Sequence, residues 1–242
     1  MLTPETAPSL TASSSTVQAI RLDRARQAAP QVFETLREMI ISLTLAPGAV
    51  LSRASLMEQF GLSQTPIRDA LLKLAEEKLV DIFPQHATVV SAIDLRLAHQ
   101  AHFLRRSVEL EVVRALALSA DKGFVAPLRA VLAEQQARAA AHDLKGFAAA
   151  DQSFHRQMCD VAGMPDLWTL IRSRSGHIDR LRQLHLPVPG KIEAILRDHH
   201  RILEAIAAGA AGAAQDGVRD HLSGTLMQVE EIKSRFPHYV QD

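Results

Sequence analysis

One cysteine, Cys159, is all the thiol this 242-residue chain holds. A lone cysteine excludes a disulfide framework and points to a reducing, cytoplasmic setting. Aromatic residues are scarce at 4% while alanine is abundant, a mix that suits close helix packing better than a β-sandwich. Charge of one sign is missing too. Lys+Arg and Asp+Glu both number 27, so no global field draws the chain to nucleic acid, and any such contact has to be placed locally. No apolar run approaches the roughly 20 residues that span a bilayer. The opening stretch MLTPETAPSLTASSST lacks the basic start and apolar core of a signal peptide. The expectation is a soluble protein with no membrane partner. Hydrophobic residues make up 47% of the chain, enough to build a core and to exclude a disordered chain.

Residues 1–28 are rich in Ser, Thr, Ala and Pro and read as a flexible N-terminal arm, closed by Arg21, Arg24 and Arg26. From Gln31 a helical period sets in, with Val32, Leu36, Met39, Ile40 and Leu43 on one stripe, and Pro47-Gly48 stops it. Ser52 starts a short helix that Gly61 ends, and Ser63 with Pro66 opens another that buries Ile67, Ala70, Leu71 and Leu74. Two short β-like runs, 79–83 and 88–91, flank Pro84-Gln85-His86-Ala87 as a small hairpin. Beyond Asp94 the chain reads as helix over 94–121, 124–141, 143–162, 165–184, 190–208 and 211–235. The fold class expected is mainly α. A winged helix-turn-helix spans 29–92, and an all-α helical bundle that binds a ligand spans 93–236.

A short helix, a turn, a second helix and a hairpin place the second helix in a major groove. The residues Leu45-Ala46-Pro47-Gly48, Leu51-Ser52 and Gly61-Leu62-Ser63-Gln64-Thr65-Pro66-Ile67-Arg68-Asp69-Ala70-Leu71 resemble the DNA-binding domain of the GntR family. The resemblance implies that Arg68 is the recognition-helix arginine and that Thr65 reaches phosphate. Gln64 stands where the family carries arginine, and could pair with adenine. Arg53 lies one place before the family's arginine of the preceding helix, and His86 sits at the wing tip beside Ala87 in place of glycine. Over residues 31–92 five basic residues face seven acidic ones. The expectation is binding through few phosphates, with a shallow salt dependence.

Asp151 and His155 stand four apart on a helical segment, so a carboxylate oxygen and an imidazole nitrogen can share one metal. Such a pair is equally at home in a surface or capping contact. The wider pattern is Asp151-x-x-x-His155, then His199 in Asp198-His199-His200-Arg201-Ile202-Leu203-Glu204-Ala205-Ile206, then His221-Leu222 in the final helix. It resembles the metal-binding FCD domain of the FadR branch of the GntR family. The resemblance implies that Asp151, His155, His199 and His221 hold a divalent transition metal. Zinc suits this donor set best, with nickel, manganese or iron as alternatives. Adjacent His200 should point elsewhere. Arg105 and Glu109 match the family's Arg-x-x-x-Glu, which implies a clamp on an effector carboxylate; an intrahelical ion pair is the plainer reading. Arg172, Arg174, His177 and Arg180 read as a solvated basic face, Cys159 as a buried inert thiol and Trp168 as core.

Together these readings describe a homodimeric regulator, a repressor in the leading version, that binds double-stranded operator DNA under control of a small carboxylate effector. A direct metal sensor and a metal-dependent hydrolase are the competing readings.

Overall fold

The computed structural model describes residues 20–84 and 86–242. Most of the expected arm therefore lies outside the described residues. Its end differs from the expectation: residues 20–27 pack on the first domain. The Gln31 amide accepts from the Asp23 N–H (2.8 Å) and donates to the carbonyls of Asp23, Arg26 and Gln27. Ile20 and Leu22 meet the apolar core, and Arg26 pairs with Glu34.

The N-terminal domain runs α1 (Ala28–Ile41), β1 (Val50–Leu51), α2 (Arg53–Phe60), α3 (Gln64–Glu76), β2 (Val80–Phe83) and β3 (Ala87–Val90). Its apolar stripes meet in one core around Leu36, Ile40, Ile67, Leu71 and Leu74. The Ser52 hydroxyl accepts from the Ser55 N–H, and Gly61 closes α2 in the left-handed conformation (φ 62°) that a side chain disfavours. The hairpin carries a third strand, in the antiparallel order β1-β3-β2. With only two residues, β1 is too short to show a period of its own.

The second domain begins with β4 (Ile93–Asp94) and α4 (Leu95–Leu118). Asp94 caps α4 by accepting from the Leu97 N–H at 2.9 Å. Then come α5 (Val125–Ala140), α6 (Leu144–Val161), α7 (Pro165–Arg174), α8 (Gly176–His185), α9 (Lys191–Ala207), α10 (Ala211–Ser223), a 3-10 turn (Leu226–Gln228), α11 (Val229–Arg235) and β5 (Val240–Gln241). Two of the expected helices are interrupted. Residues 165–184 break at Ser175, whose hydroxyl turns to the Asp179 carboxylate (2.6 Å). Residues 211–235 break after Ser223. The chain beyond 236 returns to the domain boundary, where Ile93 pairs with Val240 and Asp94 with Gln241 in parallel.

The two domains touch through α8, and here the expected solvated basic face proves wrong for all but Arg174. His177 and Arg180 are buried. Arg180 donates to the carbonyl of Ser91 (2.6 Å). His177 Nε2–H donates to the carbonyl of Lys78 (3.1 Å), while Nδ1 accepts from the Asp94 N–H (2.9 Å). A Cβ on Gly176 would stand 2.5 Å from Leu79 Cδ2, so the first residue of α8 has to be small for the domains to close. From the other side, Arg37 on α1 pairs with Glu77 just past α3 (2.6 Å) and donates to the Arg172 carbonyl.

Burial, with the Arg180 guanidinium second, lowers the His177 pKa from 6.5 to about 4. The unfolded chain therefore takes up this proton first as pH falls. Stability from this group is full above pH 6.5 and is lost between about 6.5 and 4, on the order of 3 kcal/mol at most. Urea unfolding of His177→Gln should show a smaller fall in stability between pH 7 and pH 4.5 than the parent. Equal falls in both proteins would remove His177 from the acid response.

Candidate metal and effector site

Three helices bring the four expected ligands together. Asp151 and His155 lie one turn apart on α6, His199 on α9 and His221 on α10, all buried. One ligand atom from each lies within 4.8 Å of the others. The Nε2 atoms of His155 and His199 each stand 3.2 Å from Nε2 of His221, and His199 Nε2 stands 3.5 Å from Asp151 Oδ1. Bonds of about 2.1 Å to a tetrahedral metal put neighbouring donors roughly 3.4 Å apart, so these spacings suit one small cation. His200 is exposed and points elsewhere.

The proton inventory supports the same fit. His155 Nδ1 meets Glu109 Oε2 and His199 Nδ1 meets Gln135 Oε1, both at 2.8 Å. Both oxygens are acceptors, so each Nδ1 carries the proton and each Nε2 is left with a bare lone pair. Burial lowers the pKa of all three histidines, His155 to about 4, which keeps them neutral and able to bind metal. Burial opposes ionisation of Asp151 and Glu109. The Arg182 guanidinium outweighs it at Asp151, and Arg105 with the hydrogen bond from His155 outweighs it at Glu109, so both carboxyls stay well below their usual range. Asp151 Oδ1 is buried without a hydrogen-bond partner. Bare nitrogens converging on an orphaned carboxylate oxygen are a donor set that a divalent cation satisfies.

Arg105 and Glu109 do form the intrahelical ion pair (2.6 Å), but at the site and not on the surface. Arg105 Nη2 remains buried with no partner. Asp151, His221 and Arg105 line one cavity with Arg182 and Lys191, and α1 of the first domain adds Ile41 to its wall. Its volume, about 60 Å³, holds roughly four to six waters. Cys159 is fully buried, and burial pushes its thiol up to about 12, so it is inert there.

Several contributors were not foreseen from the sequence. Gln135 had a signal: it continues the Leu128, Leu132 stripe of α5 as a fully buried polar residue. Asp179, Arg182 and Lys191 had none, because only the packing of α8 and α9 against α4 and α6 turns them inward. Arg182 reaches Asp151 at 3.0 Å, and Arg172 pairs with Asp179.

The expected DNA contacts lie apart from this cavity on the first domain. Gln64, Thr65 and Arg68 stand in the first turns of α3, Arg53 opens α2, and His86 lies at the hairpin tip. All are exposed, and among the described residues none of their side chains has an intramolecular hydrogen bond or ion pair.

A winged helix-turn-helix joined to a helical domain with a buried polar cavity defines the class of one-chain, ligand-sensing DNA-binding regulators. The chain belongs to the GntR family of bacterial regulators. Residues 28–90 match the family described as "Bacterial regulatory proteins, gntR family", and residues 100–224 match the FCD domain. An HTH-type transcriptional regulator from an unstable DNA locus of Streptomyces ambofaciens is 34% identical over 206 residues, 85% of this chain and 86% of that one. The HTH-type transcriptional repressor RspR of Escherichia coli K12 is 27% identical, covering 84% and 89%. E. coli McbR/YncC shares the fold at a TM-score of 0.73 and 21% identity, over 87% of this chain and 99% of that one. These are regulators, not hydrolases, and this chain falls with them. No helix among the described residues is long and apolar enough to cross a membrane.

Replacing His199 or His221 by Ala should abolish stoichiometric metal in the purified protein while far-UV circular dichroism stays near that of the parent. Gln135→Leu should weaken metal affinity about 10–100-fold by releasing the His199 ring. Unchanged metal content and affinity across all three variants would overturn the ligand assignment.

Proposed function

We propose that this regulator is a repressor whose operator affinity is set by a small organic acid bound at the metal. The observation that carries the reading is the cavity itself: it combines the Asp151, His155, His199, His221 cluster, an unpaired Arg105 Nη2 and a wall residue, Ile41, from the DNA-binding domain. Zinc is the ion best suited to three imidazoles and a carboxylate, and when bound it supplies Lewis acidity toward an acidic oxygen of the ligand. Arg105 is placed to donate to that ligand's carboxylate, and Glu109 holds the guanidinium through Nε. The reading takes Gln64, Thr65 and Arg68 to the operator, with Arg53 and His86 flanking. A homodimer gives two such heads for a near-palindromic site.

The path from cavity to head is short. Arg182 bonds Asp151 and faces Asp179, Asp179 pairs with Arg172, and Arg37 bridges the Arg172 carbonyl to Glu77 at the end of α3. A ligand that draws on Arg182 competes with this chain and displaces Ile41, so it binds two head placements with different affinity. That difference is what coupling requires.

Arg68→Ala should weaken operator binding by about 1–3 kcal/mol at fixed salt in a gel-shift titration; undiminished affinity would exclude a recognition role for Arg68. Arg37→Met should bind metal and operator but lose most of the effector-induced drop in operator affinity. If effector relieves operator binding by the same factor in Arg37→Met and parent, the coupling runs elsewhere.

A further inference from the structure

We infer that the cavity selects a dicarboxylate, one end directed to the metal and Arg105 and the other to Lys191; this rests on the organic-acid reading above. Lys191 opens α9, eight residues before His199, hence roughly 12 Å up the same helix axis. Its side chain lines the cavity, half-buried, and its ammonium has no hydrogen bond and no carboxylate within ion-pair distance among the described residues. The ammonium is seated against Gly224, where an added Cβ would come within 2.9 Å of Nζ.

Two cationic donors thus stand unfilled at one cavity, Arg105 Nη2 in the interior and Lys191 nearer the start of α9. Arg105 Nη2, buried without a partner, carries a free-energy cost that an anionic ligand recovers, and Lys191 offers a second unpaired cation on the same cavity. The charge balance points to two negative charges, not one. Arg105, Arg182 and Lys191 with Arg172 behind them face Asp151 and Asp179 with Glu109 and Asp198 behind them. Four cations meet four carboxylates, the histidines are neutral, and a divalent metal leaves two positive charges uncompensated. A monocarboxylate leaves one of them, and Lys191, unmatched. Phe147, Leu186 and Ile195 form an apolar cluster on the same cavity, which suits a short hydrocarbon spacer.

The test is isothermal titration of the zinc-loaded, full-length protein with malonate, succinate and glutarate, and with propionate, butyrate and valerate as length-matched monocarboxylates. Parent and Lys191→Met are compared at equal zinc content. The expected result is that one dicarboxylate binds the parent about tenfold or more tighter than its monocarboxylate partner. In Lys191→Met that preference should vanish through loss of dicarboxylate affinity alone. A parent with no preference, or a preference that survives in Lys191→Met, overturns the inference. If neither class binds the zinc-loaded parent, the organic-acid reading fails and this inference with it, an outcome distinct from the loss of preference.

Discussion

A helix buried along its length has to match its polar groups inside the protein, and α8 is such a helix with His177, Asp179, Arg180 and Arg182 on a ten-residue span. Their partners lie in different directions. His177 and Arg180 hold the Lys78 and Ser91 carbonyls, Asp179 holds Arg172, and Arg182 holds Asp151. Removing one partner of such a buried pair typically costs about 3–5 kcal/mol because the other charge is stranded. One short element therefore contacts both the domain boundary and the cavity.

The proposed metal centre depends on groups outside its four ligands. Glu109 and Gln135 hold the protons of His155 and His199 on Nδ1 and so bare the nitrogens that converge. Glu109 also anchors Arg105, so one carboxylate orients both His155 and Arg105, the proposed metal ligand and effector donor. Desolvation keeps the imidazoles neutral, and the surrounding guanidiniums keep the carboxylates ionised. On the proposed reading the site is preorganised for a cation.

The DNA-binding head works under a different constraint. Five basic residues against seven acidic ones over residues 31–92 leave little attraction for phosphate. The proposed recognition leans on the few exposed, uncommitted side chains at the start of α3, where Gln64 and Arg68 stand one turn apart on one face. Membership of the GntR family accounts for the frame, while Gln64 and Ala87 stand where the resemblance leads one to expect arginine and glycine.

Local signals were enough for the head and for the helical character of the rest. The α1 and α3 stripes, the Gly61 stop and the hairpin all follow from short-range periodicity and backbone preference, which act within a few residues. The Asp151–His155 spacing was likewise local, and the family pattern pointed to His199 and His221. What only the tertiary structure decided is everything that depends on which helix faces which: Gln135 behind His199, Arg182 on Asp151, Lys191 and Ile41 on one cavity, and β5 returning to β4. Periodicity says that a face is buried but not against what. Polar residues such as Arg180 and His177 therefore read as solvated until packing supplies partners from 89 and 99 residues away, because a buried charge is stable only with partners that distant parts of the chain provide.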